Sequence, residues 1–260
     1  MKSYLDLVPI SAKVHRKQNR MSIICIALTV FLVTAIFGMA DMFIRGQILQ
    51  AQQEKGNWHI GIRNISDEDA NLIASRPDVA AAADYGVLNY RGEQGYTLSG
   101  KNVVICGSDE SAVTEIFTSL DIGTFPANEN EALVTNNAKN MLNLEIGKQI
   151  VITMPDGSEI SYTVSGFINN TAGLMSKDSY GVCLTTESFR AIYPDGTNSN
   201  PADYTMRLLK FKSTRNIQSN IALIKQQFGL SDEQVSENTA LLGLLGQSRN
   251  SFMLQVYGVA

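Results

Sequence analysis

Two histidines, three cysteines, two short acidic runs and one glycine-and-lysine segment are the residues of this 260-residue chain whose types could do chemistry. A histidine-dependent hydrolase or a two-histidine metal site has little to draw on, because His15 lies in a basic flank and leaves His59 alone in the main body. No Gly-x-Ser-x-Gly turn accompanies His59, which sits beside Trp58 at the start of an alternating segment and reads as a packing or surface residue. The run Gly95-Tyr-Thr-Leu-Ser-Gly100-Lys101 has the spacing of a phosphate-binding loop. Asn102 stands where Ser or Thr would hold magnesium, and Val103 to Cys106 reads as a strand where a helix should aim its amides at phosphate. A polar connection between two strands is the better reading. The acids Asp67, Glu68 and Asp69, and Asp109 with Glu110, fall where helices are expected to start, and carboxylates there favour the helix dipole. Cys25, Cys106 and Cys183 are too widely spaced for a C-x-x-C site. A Cys106 to Cys183 disulfide on an oxidising side and a pair of small core residues both stay open. No catalytic, cofactor-binding or metal residue is nominated, no cofactor is expected, and the chain is expected not to be an enzyme.

Positioning any of these residues takes a folded body, and 44% hydrophobic with 18% charged residues suffices to bury a core. Residues 1–45 hold six Lys/Arg against Asp6 and Asp41; the remainder holds fifteen basic and twenty-three acidic residues, a net of -8. So acidic a body argues against binding a phosphate backbone, and nucleic acid is not an expected partner. Met21 to Ala40 runs 20 residues without a charge. As a helix that is about 30 Å, the thickness of a bilayer's hydrocarbon. Lys13, Arg16, Lys17 and Arg20 precede it, so the positive-inside bias places the N-terminus in the cytoplasm and the rest outside. Asp41 is expected at the far interface. A cleaved signal peptide competes, with Gly38-Met39-Ala40 as a small-x-small site, but the preceding segment with Tyr4, Leu5, Leu7, Val8 and Ile10 suits an interfacial stretch before an uncleaved helix.

The expected fold is α+β: an N-terminal transmembrane helix followed by a mixed α/β extracytoplasmic domain of one or two lobes. The boundaries read 1–20 cytoplasmic basic segment, 21–44 transmembrane helix, 45–55 connecting helix, 56–246 outer domain and 250–260 the start of a second, truncated membrane helix. Gly56 should break the connecting helix before a strand over Trp58 to Ile62. Ser66 reads as an N-cap for a helix ending before Pro77, with extended chain from Val79 to Tyr90. Gln149 to Met154, the turn Pro155-Asp156-Gly157 and Glu159 to Phe167 read as a hairpin, alternating in both arms. Tyr204 to Lys212 reads as a strand. Ile217 to Phe228 reads as a helix with an apolar face of Ile217, Ile221, Leu223, Ile224 and Phe228, stopped by Gly229. Trp58, Tyr85 and Tyr96 are contact candidates for which core packing is the plainer fate.

In that order the features resemble the FtsX-like permease family of ABC transporters, whose external part is the MacB-like periplasmic core domain. The resemblance rests on the basic flank and first helix, Gly56-Asn-Trp-His59, Gly123-Thr-Phe-Pro126, Asn128-Glu-Asn-Glu-Ala-Leu-Val134, Leu144-Glu-Ile-Gly147, Val164-Ser-Gly-Phe167 and Asn238-Thr-Ala-Leu-Leu242. It implies a permease that transmits motion from a separate cytoplasmic ABC ATPase, works beside a second permease copy or half, and exports peptides or other amphiphiles or drives mechanotransmission. The segment that meets the ATPase in relatives lies past residue 260. An acidic outer domain would favour a cationic peptide. The alternative is a single-pass membrane-anchored protein whose outer domain binds a ligand or serves as a sensor or adaptor.

Overall fold

The computed structural model describes residues 16–90, 92, 94–169, 174, 178–193 and 204–246, in two compact units, Met1–Gln47 and Ile48–Ala260. The expected interfacial segment before residue 16 and the expected second membrane helix at 250–260 lie outside the described residues. Helix α1 (Arg16–Lys55) has 40 residues, none of them buried, and is long and apolar enough to cross a membrane. A core helix of a soluble domain would have a covered face. Within the apolar run, the hydroxyls of Thr29 and Thr34 donate to the carbonyls of Cys25 and Val30, each at 2.8 Å, so neither needs a partner from solvent. Asp41 pairs with Arg45 one turn on at 2.8 Å. Gly56, at φ +87°, ends the helix.

Among the described residues, eleven strands follow in one hydrogen-bonded sheet: β1 (Ile60–Ile62), β2 (Val79–Leu88), β3 (Thr97–Leu98), β4 (Lys101–Ser108), β5 (Leu120–Gly123), β6 (Glu131–Thr135), β7 (Gln149–Thr153), β8 (Glu159–Ile168), β9 (Ser179–Thr185), β10 (Tyr204–Phe211) and β11 (Val235–Glu237). The helices between them are α2 (Asp67–Ala74), α3 (Asn136–Leu142), α4 (Thr186–Ile192) and α5 (Ile217–Phe228), with a π-helical turn at Ala112–Ile116, and α6 (Thr239–Leu244) follows β11. The class is α+β, as the patterning predicts.

The sheet has two parts. Strands β11, β1, β10 and β2 lie side by side, all antiparallel. The expected strand-helix-strand unit at 58–90 forms as β1, α2 and β2, but β10 is inserted between its strands; β10, α5 and β11 make a second such unit. This is the split βαβ arrangement. Ile60, Ile62, Ile73, Leu209, Phe211, Ile217, Ile221 and Ile224 make its core, each buried Ile stabilising by about 1.5–3 kcal/mol. α5 has the predicted bounds and Gly229 is its left-handed cap. Leu223 corrects the predicted face: it is 53% exposed, because the helical turn carries it away from the stripe at 217, 221 and 224.

In the second part β4, β3, β7, β8, β6 and β9 follow one another, and β9 pairs back to β4, so the six strands close a ring. Its interior is filled by Val103, Ile105, Ile152, Val164, Phe167, Val182 and Leu184, among others. The predicted hairpin is β7–β8, with Ile152 opposite Ile160 and Gly157 at φ +83° in the turn. Three of the motif pieces quoted above meet at one place here. Gly123, at φ +95°, lies so close to β8 that a Cβ would press on the Ser165 carbonyl and Gly166, and Gly147 N–H donates to the Val164 carbonyl at 2.8 Å. Gly123→Ala is therefore expected to cost about 2–3 kcal/mol, from left-handed backbone strain plus a backbone collision. Urea unfolding of the variant measures it, and a loss under about 0.5 kcal/mol would contradict the close approach.

Candidate functional site

Polar groups gather at two places in the domain. The first is the junction at which the chain passes from α1 into the sheet. Asn57 N–H donates to the Ile116 carbonyl at 2.7 Å, and Trp58 Nε1 returns to the Lys55 carbonyl at 2.6 Å. A Cβ on Gly56 would meet the Phe117 ring, within 2.6 Å of Cδ1, so glycine is needed for packing as well as for its φ. Asn238 fastens this junction from the other end of the domain. Its Nδ2 donates to the carbonyls of Gly56 at 3.1 Å and Trp58 at 3.0 Å. Its backbone N–H donates to the His59 carbonyl at 3.0 Å, and its Oδ1 accepts from Leu241 N–H, capping α6. A buried amide with all of these bonds satisfied is a fixed clamp.

His59 belongs to the same junction. It is 5% exposed, its ring is stacked on Phe211 with an interplanar angle of 6°, and its Nδ1 accepts the Phe211 N–H at 2.9 Å. Burial, helped by the Lys210 charge, pushes its pKa down to about 4. It is a neutral acceptor in the core, which decides between the packing and surface places that the sequence left open for it.

The second place is a cleft between α2 and α4 on the face formed by β2, β4 and β10. Two adjoining hollows of about 340 and 430 Å³ share Asp67, Asp84, Thr186, Arg190 and Arg207. Phe189 packs down on Gly86 and Gly107, where any Cβ would run into its ring. Arg207 reaches Asp84 at 3.0 Å and Asp109 at 3.8 Å with a side chain only 13% exposed, and donates to Asn71 of α2 at 2.9 Å. Arg190 of α4 pairs with Asp67 at 3.4 Å. Burial raises the Asp109 carboxyl above its ordinary range, against the pull of the Asp84 and Ala112 amides and the Arg207 guanidinium. Glu110 and Glu187 also line the cleft, so its walls favour a cation.

The remaining candidates take structural places. In the phosphate-loop spacing, Thr97 and Leu98 pair with Asn102 and Lys101, so Ser99 and Gly100, at φ +52° and +78°, form a two-residue hairpin turn. Lys101 Nζ lies 4.6 Å from the centre of the Tyr180 ring. Asp67, Glu68 and Asp69 start α2, whose Ser66 cap accepts the Asp69 N–H. Asp109 does cap, through the Ala112 N–H at 2.9 Å, but it also accepts the Asp84 N–H and faces Arg207, which the capping reading missed. An arginine inside the otherwise apolar run Met206 to Leu209 is the sequence signal that marked this cluster. Tyr85 and Tyr96 are buried and Trp58 half-buried. Cys106 and Cys183 are free and buried, with sulfurs 3.5 Å apart.

The family model of the MacB-like periplasmic core domain matches residues 21–226, which takes in most of α1 and nearly all of the sheet. The chain belongs to this family. As a MacB-like periplasmic core domain with its apolar helix, it is a permease-type membrane protein of the ABC transporter class. Asn238 lies past the matched residues, although it clamps the Gly56-Asn-Trp-His59 piece within them. Among solved structures, a domain of a Porphyromonas gingivalis protein described as a permease is similar at 11% identity, over 72% of this chain and 87% of that one, with a TM-score of 0.43. So loose a likeness carries no assignment. No curated protein matches the chain.

Two measurements address the junction of this MacB-like domain. Asn238→Ala leaves two carbonyls and a helix N-terminus without partners, and is expected to cost about 2–4 kcal/mol in urea unfolding; an effect under about 0.5 kcal/mol would mean the clamp contributes nothing. For His59 the folded pKa lies below the unfolded one, so the unfolded chain binds the extra proton. Stability is then whole above about pH 6.5 and falls as the pH drops toward 4. His59→Gln should lose about 2 kcal/mol less than wild type between pH 7.5 and 4.5, and equal losses would contradict the buried neutral imidazole.

Proposed function

We propose that this chain is a permease subunit that couples ATP hydrolysis by a separate cytoplasmic ABC ATPase to motion of its extracytoplasmic domain, for export of peptides or other amphiphiles or for mechanotransmission. The observation that carries the reading is the family match spanning helix and domain together. The junction supports it: the last turn of α1 runs into a domain whose first and last strands are adjacent and clamped by one amide, as suits a body moved from its root. The chain itself catalyses nothing in this reading. That fits a histidine held neutral in the core and a glycine-lysine segment spent on a hairpin turn. The cytoplasmic N-terminus follows the basic residues before the helix. The carboxylates of the α2–α4 cleft favour a cationic substrate.

The test is isolation of the tagged chain in detergent from its native cells. An ABC ATPase is expected to accompany it, with an ATPase rate that rises severalfold when a cationic peptide is added. Isolation without any nucleotide-hydrolysing partner would overturn the permease reading in favour of a membrane-anchored ligand-binding or sensor protein, and a rate indifferent to peptide charge would overturn the substrate class. Orientation is read separately. Glu145→Cys should react with a membrane-impermeant maleimide in intact cells and Lys17→Cys only after permeabilisation; the reverse pattern would overturn the placement.

A further inference from the structure

β4 and β9 run parallel, and their register sets Cys106 directly opposite Cys183. The two residues are 77 positions apart in the chain, yet their Sγ atoms lie 3.5 Å from each other. Both residues are 1% exposed. Alternation along the strands explains why they face the same way: Val103, Ile105, Val182 and Leu184 point into the ring, and Cys106 and Cys183 point to its other face, beneath Ala112, Val113 and Ile116 of the π-helical turn. Neighbouring strands stand about 4.8 Å apart, inside the roughly 4.4–6.8 Å of Cα separation that a disulfide spans. Small rotations about χ1 would close the remaining gap between the sulfurs. Polar neighbours are the Ser108 hydroxyl, 3.0 Å from Cys183 Sγ, and the Tyr85 side chain, which hydrogen-bonds Cys106.

We propose that Cys106 and Cys183 form an intramolecular disulfide when the domain folds in an oxidising compartment. Each thiol gives up its proton, one Sγ–Sγ bond forms, and two electrons pass to an external disulfide oxidant, which is reduced to two thiols. That oxidant is an oxidoreductase disulfide in the cell or oxidised glutathione in vitro. Because the folded domain seals both sulfurs from solvent, the bond is made during folding, and a reductant reaches it only through unfolding. Its place decides its effect: β4–β9 is the pairing that closes the six-stranded ring, so the bond makes the closure covalent. The proposal rests on the outward placement of the domain for its oxidant; the sulfur geometry does not.

The test uses the full chain carrying Cys25→Ser, which leaves these two thiols alone, isolated from cells with N-ethylmaleimide present and denatured before reduction. Peptide mapping should recover the Cys106 and Cys183 peptides joined, two hydrogens lighter than the separate thiols and without maleimide. Unfolding and refolding with dithiothreitol should lower the urea midpoint to that of the Cys106→Ala/Cys183→Ala variant. Maleimide on both cysteines before reduction, in cells whose Glu145→Cys control is labelled from outside, would overturn the disulfide and leave the orientation standing. Labelling of that control only after permeabilisation would instead overturn the orientation. The sulfur pair is then decided by refolding in a glutathione redox buffer, where linked peptides support it and free thiols overturn it.

Discussion

Strand β4 is the member on which the rest of the domain depends. Along one edge it bonds β9 from Asn102 to Ser108, and along the other it bonds β3 at its start and β2 at its end. Both of its faces are covered, Val103 and Ile105 by the ring interior and Val104 and Cys106 by the layer outside it. A strand engaged on both edges and both faces must be apolar throughout and cannot show alternation. Val103-Val-Ile-Cys106, the stretch of β4 past the half-buried Lys101 and exposed Asn102, meets that demand, and Gly107 meets a further one, giving Phe189 of α4 room to descend on the sheet. The split βαβ part and the ring are thus one sheet because β4 of the ring also bonds β2.

Sequence patterning reached the elements whose partners are local. The β7–β8 hairpin was legible because its turn, Pro155-Asp156-Gly157, sits between two alternating arms; α5 was legible because Ile217, Ile221 and Ile224 mark one face and Gly229 its end. Pairings between distant segments left no such mark. Nothing in Tyr204 to Lys212 says that it must lie between β1 and β2, and nothing in residues 101–108 names residues 179–185 as their parallel neighbours. The short strands β3 and β11 and the π-helical turn carry too few residues for a period to show. The pieces behind the family resemblance were visible in order but not in purpose. Gly123, Gly147 and Val164 to Gly166 belong together because their backbones meet, which only the folded chain reveals.

The candidate chemistry was legible mostly in the negative, and the reason is shared. A domain of this kind has many buried chain ends to satisfy, and polar residues are consumed in satisfying them. Asn238, Asp109, Ser66 and His59 each take up backbone groups that would otherwise be orphaned. What patterning missed is the cluster of Arg207 with Asp84 and Asp109, because it draws one residue from each of two strands and one from the turn after a third. A charge inside an apolar strand was its one trace.

Under the proposed reading, function turns on where stiffness lies. The domain takes up α1 at Gly56 and leads into α6 at Asn238, and these two points are neighbours, because β1 and β11 pair and Asn238 bonds three residues of the first junction, Gly56, Trp58 and His59. A displacement applied at α1 then reaches β1 and β11 together and cannot peel one from the other without breaking the clamp. From there it passes through β10 and β2 to β4, always across antiparallel hydrogen-bonded pairs. Such a domain moves as a body and does not deform, since a packed sheet has few soft degrees of freedom between its ends. The cleft between α2 and α4 is different in kind: ion pairs and an arginine that spans sheet and helix close it, and partly exposed ion pairs are weak compared with a buried ladder. If any part of this domain yields to a ligand while the sheet stays whole, it is that wall of charges.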